Sequence, residues 1–240
     1  MSAGVQGSIF DLDAESPRLR DLGSHVERRV LTNGAWVDLR PGWIAGSTDL
    51  FDALRDDVPW RAERRRMYDR VVDVPRLVCN YQASDELPDP LLVDARAALT
   101  AHYRDELPEG FATAGLCLYR DGSDSVAWHG DRFGRGATHD TMVAIVSLGS
   151  PRPLALRPRG GGASLKFTLS AGDLLVMGGS CQRTWEHAVP AWSVADAEPR
   201  FPVGRLDSRS RWRRRRAWHQ DRRRRDVREP RCDQWRSCDR

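Results

Sequence analysis

Apolar and polar positions along this chain fall into two regimes. Up to about residue 107 the pattern is mixed. The segment VLTNGAWVDLRPGWI (residues 30–44) reads as two short strands about an Asn33-Gly34 turn, which predicts a β-hairpin. Leu50 to Tyr68 has helical spacing, with Thr48 or Asp49 as N-cap, and Pro59 divides it into two short helices. Residues 71–80 (VVDVPRLVCN) are β-like and broken by Pro75. From Pro90 to Leu107, the residues Leu91, Leu92, Ala95 and Leu99 line one stripe of an amphipathic helix.

From Phe111 onward the period shortens. Strands are predicted over 113–119, 126–131, 141–148, 154–157, 165–169 and 173–177, separated by Gly- and Pro-rich turns such as RGGGAS. Short strands at near-regular spacing predict a sandwich or barrel, and the helical part before them makes the class α+β. After Pro190 the pattern dissolves. Residues 207–240 contain RWRRRRAW and DRRRRD, and no element is predicted there.

Composition changes this picture in two places. Residues 205–240 hold 15 Arg against 6 Asp and Glu, an excess of +9, whereas the whole chain carries +4, so the other residues carry −5. The basicity belongs to the tail. Five cysteines without a C-x-x-C pair, no apolar run of membrane-spanning length and no signal-like N-terminus predict a cytoplasmic protein that does not span a membrane. A monomer is expected.

The candidate chemistry is concentrated in YRDGSDSVAWHGD (residues 119–131). His129 and Asp131 stand two apart, and on a strand residues i and i+2 point to the same side. His187 follows from a later strand. Two imidazoles and one carboxylate, divided as H-x-D plus a distant His, are the parts of a facial triad for non-haem Fe(II), which leaves the opposite face of the metal open.

Several pieces in order, LCLYRDGSDSVAWHGD, VSLG (146–149), GDLLVMGG (172–179) and TWEHAVP (184–190), resemble the AlkB family of Fe(II)- and 2-oxoglutarate-dependent dioxygenases. The resemblance implies a double-stranded β-helix (jelly-roll) core and an N-terminal substrate-recognition lid. On that reading residues 1–106 are the N-terminal extension and lid, 107–204 the core, and 205–240 a disordered Arg-rich tail. It implies Fe(II), 2-oxoglutarate and dioxygen as cofactor and co-substrates. It also implies oxidative dealkylation of N-methylated bases, of the 1-methyladenine and 3-methylcytosine type, in DNA or RNA. Iron is then held by His129, Asp131 and His187, and 2-oxoglutarate by Tyr119. The family's R-x-x-x-x-x-R strand, whose first arginine pairs with 2-oxoglutarate, finds its match in Arg205 and Arg211.

Two departures stand out. Cys117 occupies the place of a family asparagine two residues before the tyrosine, and the LDSRS between the two arginines lacks the apolar alternation of a core strand. A reading frame shifted at about Ala191 would produce such a tail. The alternative function is therefore a catalytically impaired, basic nucleic-acid-binding relative that keeps the iron triad and lacks the arginine strand. For contact with alkylated DNA or RNA the candidates are Arg64, Arg66 and Tyr68, with Arg132 next to the metal ligands.

Overall fold

The computed structural model describes residues 16–67, 70–131, 138–192 and 202–208. The chain opens with β1 (Arg18–Leu19), β2 (Glu27–Val30), β3 (Ala35–Arg40) and β4 (Ile44–Ala45). Helix α1 (Ser47–Asp57) leads to a long hairpin, β5 (Arg61–Met67) and β6 (Arg70–Tyr81), and then to helix α2 (Pro90–His102). Strands β7 (Phe111–Leu118), β8 (Val126–His129), β9 (Val143–Ser147), β10 (Arg152–Pro158), β11 (Leu165–Leu169) and β12 (Leu174–Gly179) follow. A short helix α3 (Cys181–Thr184) precedes β13 (Trp185–Val189), and β14 (Pro202–Ser208) comes last among the described elements.

Two sheets carry the architecture. The large one has eight strands in the order β2-β3-β12-β9-β14-β7-β6-β5, and the small one has four, β11-β10-β13-β8. All their pairings are antiparallel, as a jelly roll requires. The fold class is the expected α+β jelly roll. β7 shows how one strand serves two faces: Ala114, Leu116 and Leu118 are buried, while Thr113, Gly115 and Cys117 between them are only half-buried. The core joins Leu92, Ala95 and Leu99 of α2 to Leu116, Val143, Leu174 and Met177 of the large sheet.

Local chemistry explains where the elements stop and start. Asp89 caps α2, its carboxylate accepting from the Leu91 N–H at 2.7 Å, and Pro90 takes the first turn, where no N–H is needed. α1 starts two to three residues before the expected caps. Its N-cap is Gly46 in the left-handed conformation, with Asp49 in the first turn favouring the helix N-terminus. The predicted hairpin about Asn33-Gly34 is present, with Asn33 at φ 62° and β2 paired to β3.

Three expectations are corrected. The helical reading ends at Asp57, and RAERRRM forms β5 instead of a second helix. Arg, Ala and Glu favour helix locally, but pairing with β6 overrides that weak preference. Pro75 does not break β6, because the register slips between Ala62 and Arg64 and a bulge removes the need for its missing N–H. Most consequentially, β14 crosses the boundary set between 204 and 205. Residues 205–208, assigned to the disordered tail, continue β14, which pairs with β7 on one side and, over Val203–Asp207, with β9 on the other. Residues 209–240 lie outside the described residues.

Gly172 ties the N-terminal segment to the core. It sits at φ +80°, its N–H donates to the Ser147 carbonyl at 2.7 Å, and its carbonyl accepts from the Ile44 N–H at 2.9 Å. A second anchor is Asp38 on β3, 2% exposed, which accepts from the Tyr103 hydroxyl at 3.0 Å and pairs with Arg28 at 2.8 Å. No helix among the described residues is long and apolar enough to cross a membrane.

Candidate metal and co-substrate site

The site begins with a register. In the antiparallel pair β8–β13, His129 stands directly opposite His187. Directly opposed residues share a sheet face, so the two rings meet, with centroids 4.2 Å apart. Beyond His187 the register shifts, and Val189 pairs with Val126. Asp131, just past the end of β8, turns back to the same face: its carboxylate lies 3.9 Å from His129 Nε2 and 3.4 Å from His187 Nε2. One ligand atom from each of the three lies within 4.8 Å of the others.

The hydrogen bonding of His129 suits a cation. His129 Nδ1 is 2.8 Å from the Ala127 carbonyl, an acceptor only, so Nδ1 carries the hydrogen and Nε2 presents its lone pair to the site. Donors bound at about 2.1 Å and right angles would be about 3 Å apart, which small side-chain rotations reach from the observed separations. The donor set, two imidazoles and a carboxylate, is the one the sequence predicts. His187 is 6% exposed and His129 more open, so access is from the His129 side.

A residue the sequence did not flag holds the backbone of Asp131. Gln182, on α3 and 1% exposed, accepts through Oε1 from the Asp131 N–H at 3.0 Å, while its Nε2 points at Met177 Sδ, 3.8 Å away. Neighbouring Cys181 is also buried, and its thiol is pushed up to about 12, by burial first and then by the charge of Asp131.

A cavity of about 80 Å³ adjoins the triad. His129 and His187 line it with Cys117, Tyr119, Ile145 and Ser147, and two arginines, Arg76 and Arg152, complete its wall. Tyr119, expected to bind the co-substrate, is 2% exposed, and the Arg152 guanidinium lies 4.6 Å from its ring centroid. Arg152 itself is 6% exposed, and nothing in the sequence singled it out. The register of β14 puts position 205 opposite Gly115 on β7 and Ile145 on β9, in line with a residue of the cavity wall. Cys117 does line the cavity, where the family asparagine was missing.

Two of the expected nucleic-acid contacts belong to β5. Arg64 is exposed on β5, and Arg66 belongs to the same edge strand of the large sheet. Tyr68, Arg132 and Arg211 lie outside the described residues.

Comparison with known proteins agrees with this arrangement. The chain is 28% identical over 199 residues to alpha-ketoglutarate-dependent dioxygenase alkB homolog 3 of Homo sapiens, covering 74% of this chain and 68% of that one. It is 28% identical over 186 residues to the Bos taurus protein of the same name, covering 69% and 63%. The chain spans 58 to 63% of the length of the bovine, mouse and rat relatives. Among solved structures, "The structure of OsALKBH1" superimposes with a TM-score of 0.50 at 12% identity, covering 76% of this chain and 99% of that one, a likeness of fold. Residues 44–217 match the family described as the 2OG-Fe(II) oxygenase superfamily, a span holding the imidazole pair, Asp131, Tyr119 and Arg205. With its triad and jelly roll in that span, this chain belongs to the 2OG-Fe(II) oxygenase superfamily, whose cofactor and co-substrates are Fe(II), 2-oxoglutarate and dioxygen.

Proposed function

We propose that the protein removes N-methyl groups oxidatively from nucleobases of the 1-methyladenine and 3-methylcytosine type in DNA or RNA. The observation that carries this reading is the cross-strand pair of His129 and His187, closed by Asp131 and opening onto a cavity that Tyr119 also lines. The names of the similar proteins, alkB homolog 3 and a "DNA oxidative demethylase" of Arabidopsis thaliana at 29% identity over 189 residues, support the substrate class.

Fe(II) with 2-oxoglutarate would supply the oxidation, one atom of dioxygen going to the methyl carbon, which leaves as formaldehyde, and the other to succinate as 2-oxoglutarate loses carbon dioxide. The chain's own residues do the rest. His129, Asp131 and His187 hold the metal from one side and leave the other for the co-substrate. Ala127 fixes the tautomer of His129, and Gln182 fixes the backbone of Asp131. Tyr119 and Arg205 are the residues we assign to 2-oxoglutarate, and Arg211 is the match of the family's second arginine. Arg64, Arg66, Tyr68 and Arg132 contact the polynucleotide, arginine offering fixed donor geometry to phosphate oxygens. A base must leave its stack to be reached, so a single strand or an extruded nucleotide is the working substrate. The place of β14 between β7 and β9 supports an enzyme over a relative without the arginine strand.

The test is turnover of oligonucleotides carrying one methylated base, with Fe(II), 2-oxoglutarate and oxygen, followed by base analysis and succinate release. Restored base in step with succinate is the expected result. Succinate formation that no methylated polynucleotide stimulates would refute the substrate assignment.

A further inference from the structure

We infer that Arg152 is a positioning residue, which holds Tyr119 and the turn leading into β8 in one fixed arrangement; the inference rests on the assignment of Tyr119 to 2-oxoglutarate. β7 ends at Leu118 and β8 begins at Val126, so residues 119–125 carry the chain out of the large sheet and into the small one. Tyr119 opens this crossing, and the strand it leads to carries His129. A connecting segment is ordinarily the most mobile part of a site. This one is knit within itself. Asp121 accepts from the N–H and hydroxyl of Ser123, and the Asp124 carboxylate accepts from Arg120, through its backbone N–H at 2.7 Å and its guanidinium at 2.9 Å. Such a turn shifts as a unit, so the ties that hold it to the sheets decide where it sits.

Two of those ties are made by backbone N–H groups. The Ser125 N–H donates to the Pro75 carbonyl of β6 at 2.8 Å, and the Trp192 N–H, past the end of β13, donates to the Gly122 carbonyl at 2.6 Å. Arg76 adds a long bond to the Ser125 carbonyl at 3.5 Å. Arg152 differs from these in reaching the turn and the tyrosine together. Its Nη1 donates to the Asp121 carbonyl at 2.9 Å and its Nη2 to the Asp124 carbonyl, while its guanidinium lies 4.6 Å from the Tyr119 ring centroid. It does so from the first position of β10, a strand that β13 separates from β8. The side chain is 6% exposed, and burial lowers its guanidinium from the ordinary value, a cost that the charges of Asp124 and Asp121 offset in part. Lysine could not do the same work. A point charge meets one carbonyl, whereas a planar fork meets two and keeps a face for the ring.

The test is a double-substitution cycle on the Fe(II) protein without oxygen, with the 2-oxoglutarate Kd read from the visible charge-transfer band of the chelate. Tyr119→Phe and Arg152→Gln are each expected to raise Kd about 10-fold, the first by losing a hydrogen bond to a charged group and the second by losing its support. Because Arg152 acts through Tyr119, the double variant is expected to bind no more than about twofold weaker than Y119F alone. Losses that multiply to about 100-fold overturn the inference, since the two residues then act independently. An unchanged Kd in R152Q with a lower Tm also overturns it and leaves Arg152 a brace for the fold alone. An unchanged Kd in Y119F removes the co-substrate role of the tyrosine, and the inference with it, while the metal triad and the substrate class stand. A second measurement reads the ring itself. The chain has four tyrosines, and in the Zn(II) form with ring-labelled tyrosine the signal lost in Y119F is that of Tyr119. That signal is expected to move in R152K, which keeps the charge and takes the place of R152Q in the cycle should the glutamine variant not fold. A Tyr119 signal that stays in place in R152K refutes the contact.

Discussion

Replacing Gln182 with leucine tests whether the metal site is held from outside its ligands. The side chain is 1% exposed and of similar size to leucine, so the cavity it leaves is small. What disappears is one acceptor. The Asp131 N–H, now 3.0 Å from Gln182 Oε1, would be left without it, and an unsatisfied buried donor costs about 1–3 kcal/mol. The Asp131 carboxylate sits one residue's width from that N–H and 3.4 Å from His187, so release of the backbone loosens the ligand itself. Outer partners of metal ligands are worth about 10- to 100-fold in affinity, or about 1.4–2.8 kcal/mol. Two measurements on the Q182L protein separate the effects. Urea unfolding of the metal-free chain is expected to lose about 1–3 kcal/mol, and anaerobic Fe(II) titration to show Kd raised about 10- to 100-fold. A folded Q182L protein whose Kd stays within about twofold of the original would refute the positioning role, whatever its stability.

Two further outcomes follow from the scaffold. Tyr103→Phe removes the hydroxyl that Asp38 accepts from at 3.0 Å, a bond to a buried carboxylate, and should cost about 1.5–3 kcal/mol in urea unfolding; a change below about 0.5 kcal/mol would mean that Arg28 alone satisfies Asp38. Gly172→Ala must adopt φ +80° and would place its Cβ 2.1 Å from the Ile44 carbonyl oxygen, so it should lose more than the roughly 1–2 kcal/mol of a left-handed residue alone, and a Tm equal to that of the original chain would contradict the close approach.

The metal ligands were legible because their chemistry demands a rare combination in a fixed pattern, although β8 ends at His129 and Asp131 reaches the same face from just past the strand. β7 and β11 were legible because half-buried strands alternate, β9 and β12 because they are short apolar runs bounded by turns. Gln182 was not, since CQRT on a single helical turn has no signature of its own and matters only because α3 packs under the Asp131 backbone. Arg152 was hidden for a related reason: an arginine after a turn reads as surface, and only the fold reveals it as wall. β5 was misread because RAERRRM has the composition of a helix, and its partner β6, not its own sequence, makes it a strand. β14 was missed because PVGRLDS lacks apolar alternation, yet two neighbours supply its ladder from both sides.

That last placement has a consequence for how the protein is made. β14 is the final described strand in sequence but the fifth of eight across the large sheet, so β7 and β9 wait for it with open, unpaired backbone. Such contacts, distant along the chain, form slowly and leave sticky edges until they close. A nascent chain halted before residue 202 would have its triad strands and yet no finished vessel around them, and would be a client for chaperones or proteases before it was ever an oxidant.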